Sequence, residues 1–580
     1  MNIKNISNNF AISREQLYLL SLAIIVGLFG GLGAVGFRYL IGFFQKLSYG
    51  SSGNILDALA SFGWGYRLLV PALGGAVVGP MIYFLAREAK GHGVPEVIDA
   101  VALKGGVIRK RVVAVKSLAS ALSIGVGGSI GREGPIVQIG SAIGSSLGQA
   151  LKVSPNRMRV LVGCGAAAGI AATFNAPVAG MIFALEVILG EFAITTFSPI
   201  VLSAVIATAV SRYFLGDSPA FSVPDYHIVS YWELGLYAGL GVFAGIVAVL
   251  FTTTLYKFED YFDSWRIPEW SKASVAGLGL GAIGLIFPYV LGVGYEGMDL
   301  ALAQRLTWWM MLAMVGIKIL TTSWTIGGGM SGGVFAPSLF IGCMLGGAFG
   351  HMTHNLLPGF TADPGAYAIV GMAAVVAGTT HAPFASFLIL FEMTGGYKII
   401  LPLMIACIIS TFVASVIRQE SIYTLKLIRR GVNIKAGKEV NLLREVLVGG
   451  AMVSQVQAVP QDMPLGDFMT LVSHSKYASF PVVDKNRRLV GIISHADYAE
   501  HAFDVDLHKL VVVKDMATRD VETILAQDNL ETALEKISAK DYQTLPVIDS
   551  YENRKLIGLI SRGDIHSAYS RRILKSNMGK

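Results

Sequence analysis

Gly131-Arg132-Glu133-Gly134-Pro135 lies inside a long apolar stretch of the 580-residue chain, and its two adjacent charges decide how the rest is read. An acid at membrane depth costs on the order of 2.5 to 3.5 kcal/mol on insertion scales, so it marks a functional site unless a partner accounts for it. Arg132 is the obvious partner. Gly134-Pro135, however, reads as a helix start, whose free N–H groups and positive dipole end attract anions. Glu133 is therefore expected where a permeating anion would also sit.

The surroundings are those of a membrane protein: 53% of residues are hydrophobic, and apolar runs recur from Leu17 to Ile417. Residues 1–430 carry only 47 of the 85 charged side chains, whereas residues 431–580 carry 38, equally divided by sign. A many-helix membrane region followed by a soluble one is expected. The whole excess of +7 falls in the first region, where Lys104, Arg109, Lys110, Arg111, Arg429 and Arg430 read as cytoplasmic flanks. It does not imply nucleic-acid binding. The first run, Leu17 to Leu47, is too long for a signal peptide and reads as a retained span. Cys164, Cys343 and Cys407 sit among small apolar residues, so packing is their expected role, with neither a disulfide framework nor a metal set. No zincin motif, Ser/His/Asp constellation or Walker loop appears, and enzyme activity is not expected.

The membrane region repeats itself. Val162 to Gly169, Phe174-Asn-Ala-Pro177 and Phe183-Ala-Leu-Glu186 recur as Val370 to Ala374, His381-Ala-Pro383 and Leu390-Phe-Glu392, at an offset of 206 residues from Ala176 to Ala382. Upstream, Gly131 to Pro135 matches Gly333-Val-Phe-Ala-Pro337 at an offset of 202. Doubled halves with glycine- and proline-interrupted spans point to a transporter whose broken helices meet near the bilayer midplane. The glycines at 125, 127, 128, 131, 327–329, 332 and 333 supply freedom for unwound backbone, with close helix packing as their alternative role. Freed N–H groups make anion-binding concavities.

A third break, Gly91-His92-Gly93-Val94-Pro95-Glu96, has the same design. In order, GxGxPE, GREGP, GGxFAP and a late tyrosine, Tyr423, resemble the CLC family of chloride channels and proton-coupled anion exchangers, over roughly residues 17–430. The resemblance implies that Glu133 is the gating glutamate, which competes with the anion and swings away when protonated. It implies an anion site formed by His92, Gly93, Gly131, Arg132, Gly333, Val334, Phe335, Ala336 and Tyr423. The Tyr423 hydroxyl would close the intracellular side as a neutral donor, its other reading being an interfacial aromatic anchor. Glu96, in a first helical turn, reads as structural.

Two departures bear on mechanism. Many family members have serine where this chain has His92; an imidazole can donate from one nitrogen or turn away and leave backbone N–H groups. The family's exchangers commonly carry a proton-transferring glutamate after an acid in the segment following Asn-Ala-Pro, where this chain reads Glu186-Val187. Glu186 takes the first place, and valine cannot carry a proton. A voltage- or pH-gated chloride channel is expected, with chloride/proton antiport as the alternative, since Glu191 or a water chain can still deliver protons. A CBS-regulated magnesium transporter is the remote reading, opposed by the absence of a carboxylate-rich cavity pattern.

Beyond Arg430 a second repeat appears. Phe480-Pro-Val-Val-Asp484 with Leu489 to Asp497 recurs as Leu545-Pro-Val-Ile-Asp549 with Leu556 to Asp564, each copy two short strands and a Ser-x-x-Asp helix start. This resembles a tandem CBS pair. The resemblance implies an adenine nucleotide at Ser494, Asp497, Ser561 and Asp564, against the alternative that these are ordinary helix caps. No cofactor is otherwise required.

The expected fold is thus a polytopic α-helical membrane domain of CLC-like inverted repeats with broken helices, joined to an α/β cytoplasmic CBS pair. The expected divisions are a cytoplasmic tail 1–16, membrane repeats of about 17–212 and 213–430, a linker 431–445, CBS modules 446–509 and 510–572, and a tail 573–580. By resemblance it is a homodimer with one pore per subunit. It is expected in a prokaryotic inner membrane, both termini cytoplasmic, with small anions and lipid as its partners.

Overall fold

The computed structural model describes residues 3–51, 55–217, 221, 226, 228–431, 443, 446–475, 477–499, 510–539 and 542–577. The expected linker and the end of the first CBS module therefore fall largely outside the described residues. The chain divides into two units, Met1–Asn433 and Ile434–Lys580.

The membrane unit is helical throughout, and its helices form two series in the same order. The first runs α1 (Ile3–Tyr49), α2 (Ile55–Ala60), α3 (Trp64–Leu85), α4 (Val94–Leu103), α5 (Arg111–Gly125), α6 (Glu133–Ala150), α7 (Pro155–Phe174), α8 (Pro177–Phe183) and α9 (Ile194–Leu215). The second runs α10 (Glu233–Asp263), α11 (Glu269–Ile286), α12 (Tyr295–Leu302), α13 (Trp308–Gly327), α14 (Phe335–Leu356), α15 (Pro364–Thr380), α16 (Pro383–Thr394) and α17 (Ile400–Ile417), after which α18 (Thr424–Arg429) closes the unit. Except for α2, each helix of the first series has its counterpart in the second. Among the described residues eight helices are long and apolar enough to cross a membrane. The expected tail, from residue 3 onward, and the first span make up the single helix α1.

Small residues set the packing. Gly140 of α6 faces Gly165 of α7 so closely that a Cβ on either would overlap the other's carbonyl oxygen, and Gly342 of α14 and Gly371 of α15 stand in the same relation. In lipid, where helices gain nothing from hiding apolar surface, such backbone approach is the main source of association. The counterparts α7 and α15 also end alike: Asn175 and His381 take the left-handed conformation, φ 58° and 55°, and Pro177 and Pro383 begin the next helix.

Carboxylates then lock the halves together. Glu186 accepts from the N–H groups of Phe384 (3.3 Å) and Ala385 (2.7 Å) at the start of α16, while Glu392 accepts from Val178 (3.1 Å) and Ala179 (2.7 Å) at the start of α8. Each half thus caps a helix of the other with a charge-assisted bond that also suits the helix dipole.

The second unit holds two three-stranded sheets of one design. In each, a short strand pairs parallel with a second that pairs antiparallel with a third: β1 (Val459–Pro460), β2 (Ser479–Val483), β3 (Leu489–Ser494), then β4 (Ile524–Leu525), β5 (Thr544–Ile548), β6 (Leu556–Ser561). Alternation along β3 and β6 buries Leu489, Gly491 and Ile493, and Leu556, Gly558 and Ile560. Val483, Leu489, Ile548 and Leu556 form one apolar cluster joining the sheets.

Candidate functional site

Three helix starts converge on Glu133. Gly93, at φ 84°, turns the chain into α4; Arg132 precedes α6; Val334 precedes α14. The loops before α6 and α14 are stitched by reciprocal bonds, Gly131 N–H to Gly333 O (2.7 Å) and Gly333 N–H to Gly131 O (2.6 Å). Gly134 lies against the His92 carbonyl and 3.0 Å from Gly333 Cα at its would-be Cβ, so no larger residue fits where the loops meet. The glycine positions thus draw His92, Gly93, Gly131 and Gly333 together.

The Glu133 side chain, 1% exposed, points across this junction. Its Oε2 accepts from the Ala336 N–H (3.3 Å), at the N-terminus of α14, and its Oε1 accepts from the Tyr295 hydroxyl (3.4 Å). A carboxylate thus occupies the anion-binding end of a helix contributed by the other half. Arg132 does not pair with it: among the described residues no ion pair joins the two, and the guanidinium instead lies 5.2 Å from the Tyr295 ring centroid and 3.4 Å from its hydroxyl. Arg132, Tyr295, Arg38 and Glu296 line a cavity of about 290 Å³. Val334 and Phe335 are buried, the Phe335 ring 5.6 Å from Phe174.

His92 has not turned outward. It is 2% exposed, its Nε2 lies 3.4 Å from the Tyr256 hydroxyl, and its ring centroid is 5.8 Å from that of Tyr423, which is equally buried. Glu96 binds Lys426 (3.2 Å) and Arg430 (3.0 Å), in keeping with a structural role.

Glu186 and Val187 lie on the π turn Ala184–Leu189. With its carboxylate engaged by two backbone N–H groups of α16, Glu186 works as an inter-half cap. Glu191 lies 3.9 Å from Arg159.

Sequence reading missed several groups. Gly292-Val-Gly294, at φ 62° and 92°, repeats the backbone of Gly91-His-Gly93, at φ 78° and 84°, so the α4 break has a partner before α12 that delivers Tyr295. Lys116 and Lys318 are also counterparts: fully buried, one donates to the Ala89 and Gly91 carbonyls (3.0 and 2.7 Å), the other to Val290 and Gly292 (3.0 and 3.3 Å). Each ammonium fastens the glycine turn that starts a short helix. Their offset of 202, equal to that of Gly131 and Gly333, was the available signal.

In the second unit Asp497 accepts from the Ser494 N–H and hydroxyl (both 2.7 Å), and Asp564 from those of Ser561 (2.9 and 2.6 Å). Both pairs are helix-start caps. The first also lines a cavity of about 230 Å³ with Thr518, Asp520 and Thr544.

The model of the family described as voltage gated chloride channel matches residues 74–415, and the CBS domain model matches 444–504 and 513–571. A putative chloride channel protein, ClcB-like, of Ralstonia nicotianae is 36% identical over 415 residues, covering 71% of this chain and 97% of that protein. The H(+)/Cl(-) exchange transporter ClcA of Yersinia pestis is 31% identical over 430 residues, covering 72% and 88%. The crystal structure of a slow cyanobacterial Cl-/H+ antiporter superposes with a TM-score of 0.65 at 28% identity, covering 71% of this chain and 97% of the other.

Proposed function

The chain belongs to the CLC family of chloride channels and transporters, with a tandem CBS pair, and from that premise we propose that it exchanges chloride for protons, with Glu133 as the coupling carboxylate. Chloride transport by an integral multi-pass protein, not enzyme chemistry, is the activity of that family. The observation that carries the finer reading is the seat of Glu133 on the Ala336 N–H. An anion and this carboxylate compete for one helix end, and like-charge repulsion makes anion occupancy favour the protonated side chain. Alternate occupation by carboxylate and chloride is the elementary step of antiport. Resemblance to the Yersinia exchanger and the cyanobacterial antiporter supports it.

In this reading His92, Gly93, Gly131, Arg132, Gly333, Val334, Phe335 and Ala336 frame the anion path, and the Tyr423 hydroxyl closes its inner side. Val187 favours a second reading, a passive gated channel, because no acid stands at the internal position and Glu186 is committed to α16. The working unit is read as a homodimer in a prokaryotic inner membrane with cytoplasmic termini. The cavity beside Ser494 and Asp497 is read as an adenine nucleotide site that tunes transport.

Reconstituted vesicles with chloride and proton movements recorded together test the main reading. A chloride gradient should drive protons uphill in the native protein and not in Glu133→Ala, which should still pass chloride. Chloride flux without proton movement in the native protein would establish the channel instead.

A further inference from the structure

His92 presents a hydrogen-bonding problem that the seat of Glu133 does not explain. Among the described residues its buried Nδ1 has no partner, whereas Nε2 faces the Tyr256 hydroxyl at 3.4 Å. Buried polar atoms in folded proteins nearly always have partners, so an orphan nitrogen calls for one that comes and goes. Tyr256 sets which nitrogen carries hydrogen. Its hydroxyl donates to the Ile422 carbonyl at 2.6 Å, so toward His92 its oxygen can only accept, and Nε2 must hold the hydrogen. In the neutral ring that leaves Nδ1 a bare lone pair, which repels an anion. Moving the hydrogen to Nδ1 without adding a proton would require Tyr256 to turn and abandon Ile422, leaving a buried carbonyl unbonded. Adding one proton to Nδ1 requires no such change: Nε2–H stays on Tyr256, and Nδ1–H becomes a donor.

We propose that His92 is a second proton-linked anion donor, its Nδ1 taking up a proton when an anion binds beside Tyr423, with Tyr256 as the positioning residue that makes the two events inseparable. The charged groups that bear on the ring are Lys116 of α5, Lys426 of α18 and Arg430 just beyond it; Glu96, in the first turn of the helix α4 that follows His92, is shared between Lys426 and Arg430. Their surplus of positive charge is what a bound anion would offset, so proton and anion arrive together or not at all. A titratable donor here would place a proton-carrying group on the anion path of a chain whose internal position is Val187. The proposal rests on the reading of Glu133 and His92 as flanking one path.

The test counts protons at equilibrium in the full-length protein carrying Glu133→Gln, so that Glu133 cannot contribute. Chloride binding is measured calorimetrically in two buffers of different ionisation enthalpy between pH 5.5 and 8. Binding should take up about one proton per chloride at the upper end, with affinity falling about tenfold per pH unit there. Adding His92→Asn, whose amide nitrogen stands near the place of Nδ1 but does not titrate, should leave a chloride affinity that no longer varies with pH and binding that takes up no proton. Adding Tyr256→Phe should lessen them, because the neutral ring is then free to carry its hydrogen on Nδ1. Proton uptake unchanged by His92→Asn, or chloride affinity independent of pH before that change, would overturn the proposal. Chloride flux without proton movement in the native protein, which would overturn the antiport reading, is a separate result, since no flux is read here.

Discussion

The breaks before α6 and α14 share one backbone and differ in side chains. Both begin in glycine, both place a proline in the first helical turn, and each donates an N–H to the other's carbonyl. One carries Arg132 and Glu133 where the other carries Val334 and Phe335. The same contrast recurs at the shorter pair, where matched glycine turns fastened by matched lysines lead to Val94 in α4 and Tyr295 in α12. Backbone duplication thus supplies a cradle of N–H groups twice over, and chemistry enters where the copies part.

The largest effects should come where the copies agree. Gly165→Ala and Gly371→Ala each drive a methyl group into a facing carbonyl oxygen and should cost about 3 kcal/mol or more, seen as loss of monodisperse protein in heated size-exclusion profiles. Tolerance of one and not the other would break the equivalence of the halves.

Next comes the carboxylate that has no counterpart. Glu133→Gln should abolish proton movement while raising chloride flux severalfold at neutral pH, as the competing charge is removed; the native protein should approach that flux as pH falls and Glu133 protonates. Vesicle efflux across a pH series checks both.

The reciprocal caps provide a finer discrimination. Glu186→Gln and Glu392→Gln should each lower thermal stability by about 1 to 2 kcal/mol, because an amide accepts more weakly than a carboxylate. Neither should alter the ratio of protons to chloride. Loss of coupling in Glu186→Gln alone would make it a proton carrier as well as a cap.

The smallest contrast lies between the CBS copies. Ser494→Ala and Ser561→Ala each remove one capping hydroxyl, worth about 0.5 to 1 kcal/mol in melting of the full-length protein. Only the first should weaken adenine nucleotide binding, measured with labelled ATP, if the cavity beside Asp497 is the site.

Residue identity made one part of this molecule legible. Glu133 stands out because a charge among apolar residues calls for an explanation, and Pro135 and Pro337 each mark the start of a helix. The two CBS copies are equally plain, since β2 and β5 bury the same four positions around a shared Pro-Val pair. The pairing of α4 with α12 was hidden because it lives in backbone angles: Val-Pro-Glu follows one glycine turn and Tyr-Glu-Gly the other, so the letters diverge while φ does not. Tyr295 and Tyr256 were invisible for a different reason. Each acts on a residue more than 150 positions away, and no local pattern marks a helix that supplies one hydroxyl to a distant site. Glu186 was singled out as one half of the proton-path position, yet its partners at Phe384 and Ala385 belong to the other repeat.

The exchange of caps between Glu186 and Glu392 carries a historical implication. Each half supplies the residue that finishes the other, and neither finishes itself. A half-length ancestor bearing one such glutamate and one such helix start would have been complete only as a pair of separate copies, each closing its twin. Fusion of the two genes would then have changed nothing in the contacts, but it would have freed the copies to diverge, so that one could acquire a glutamate in its break while the other kept its bare helix end as the seat for it.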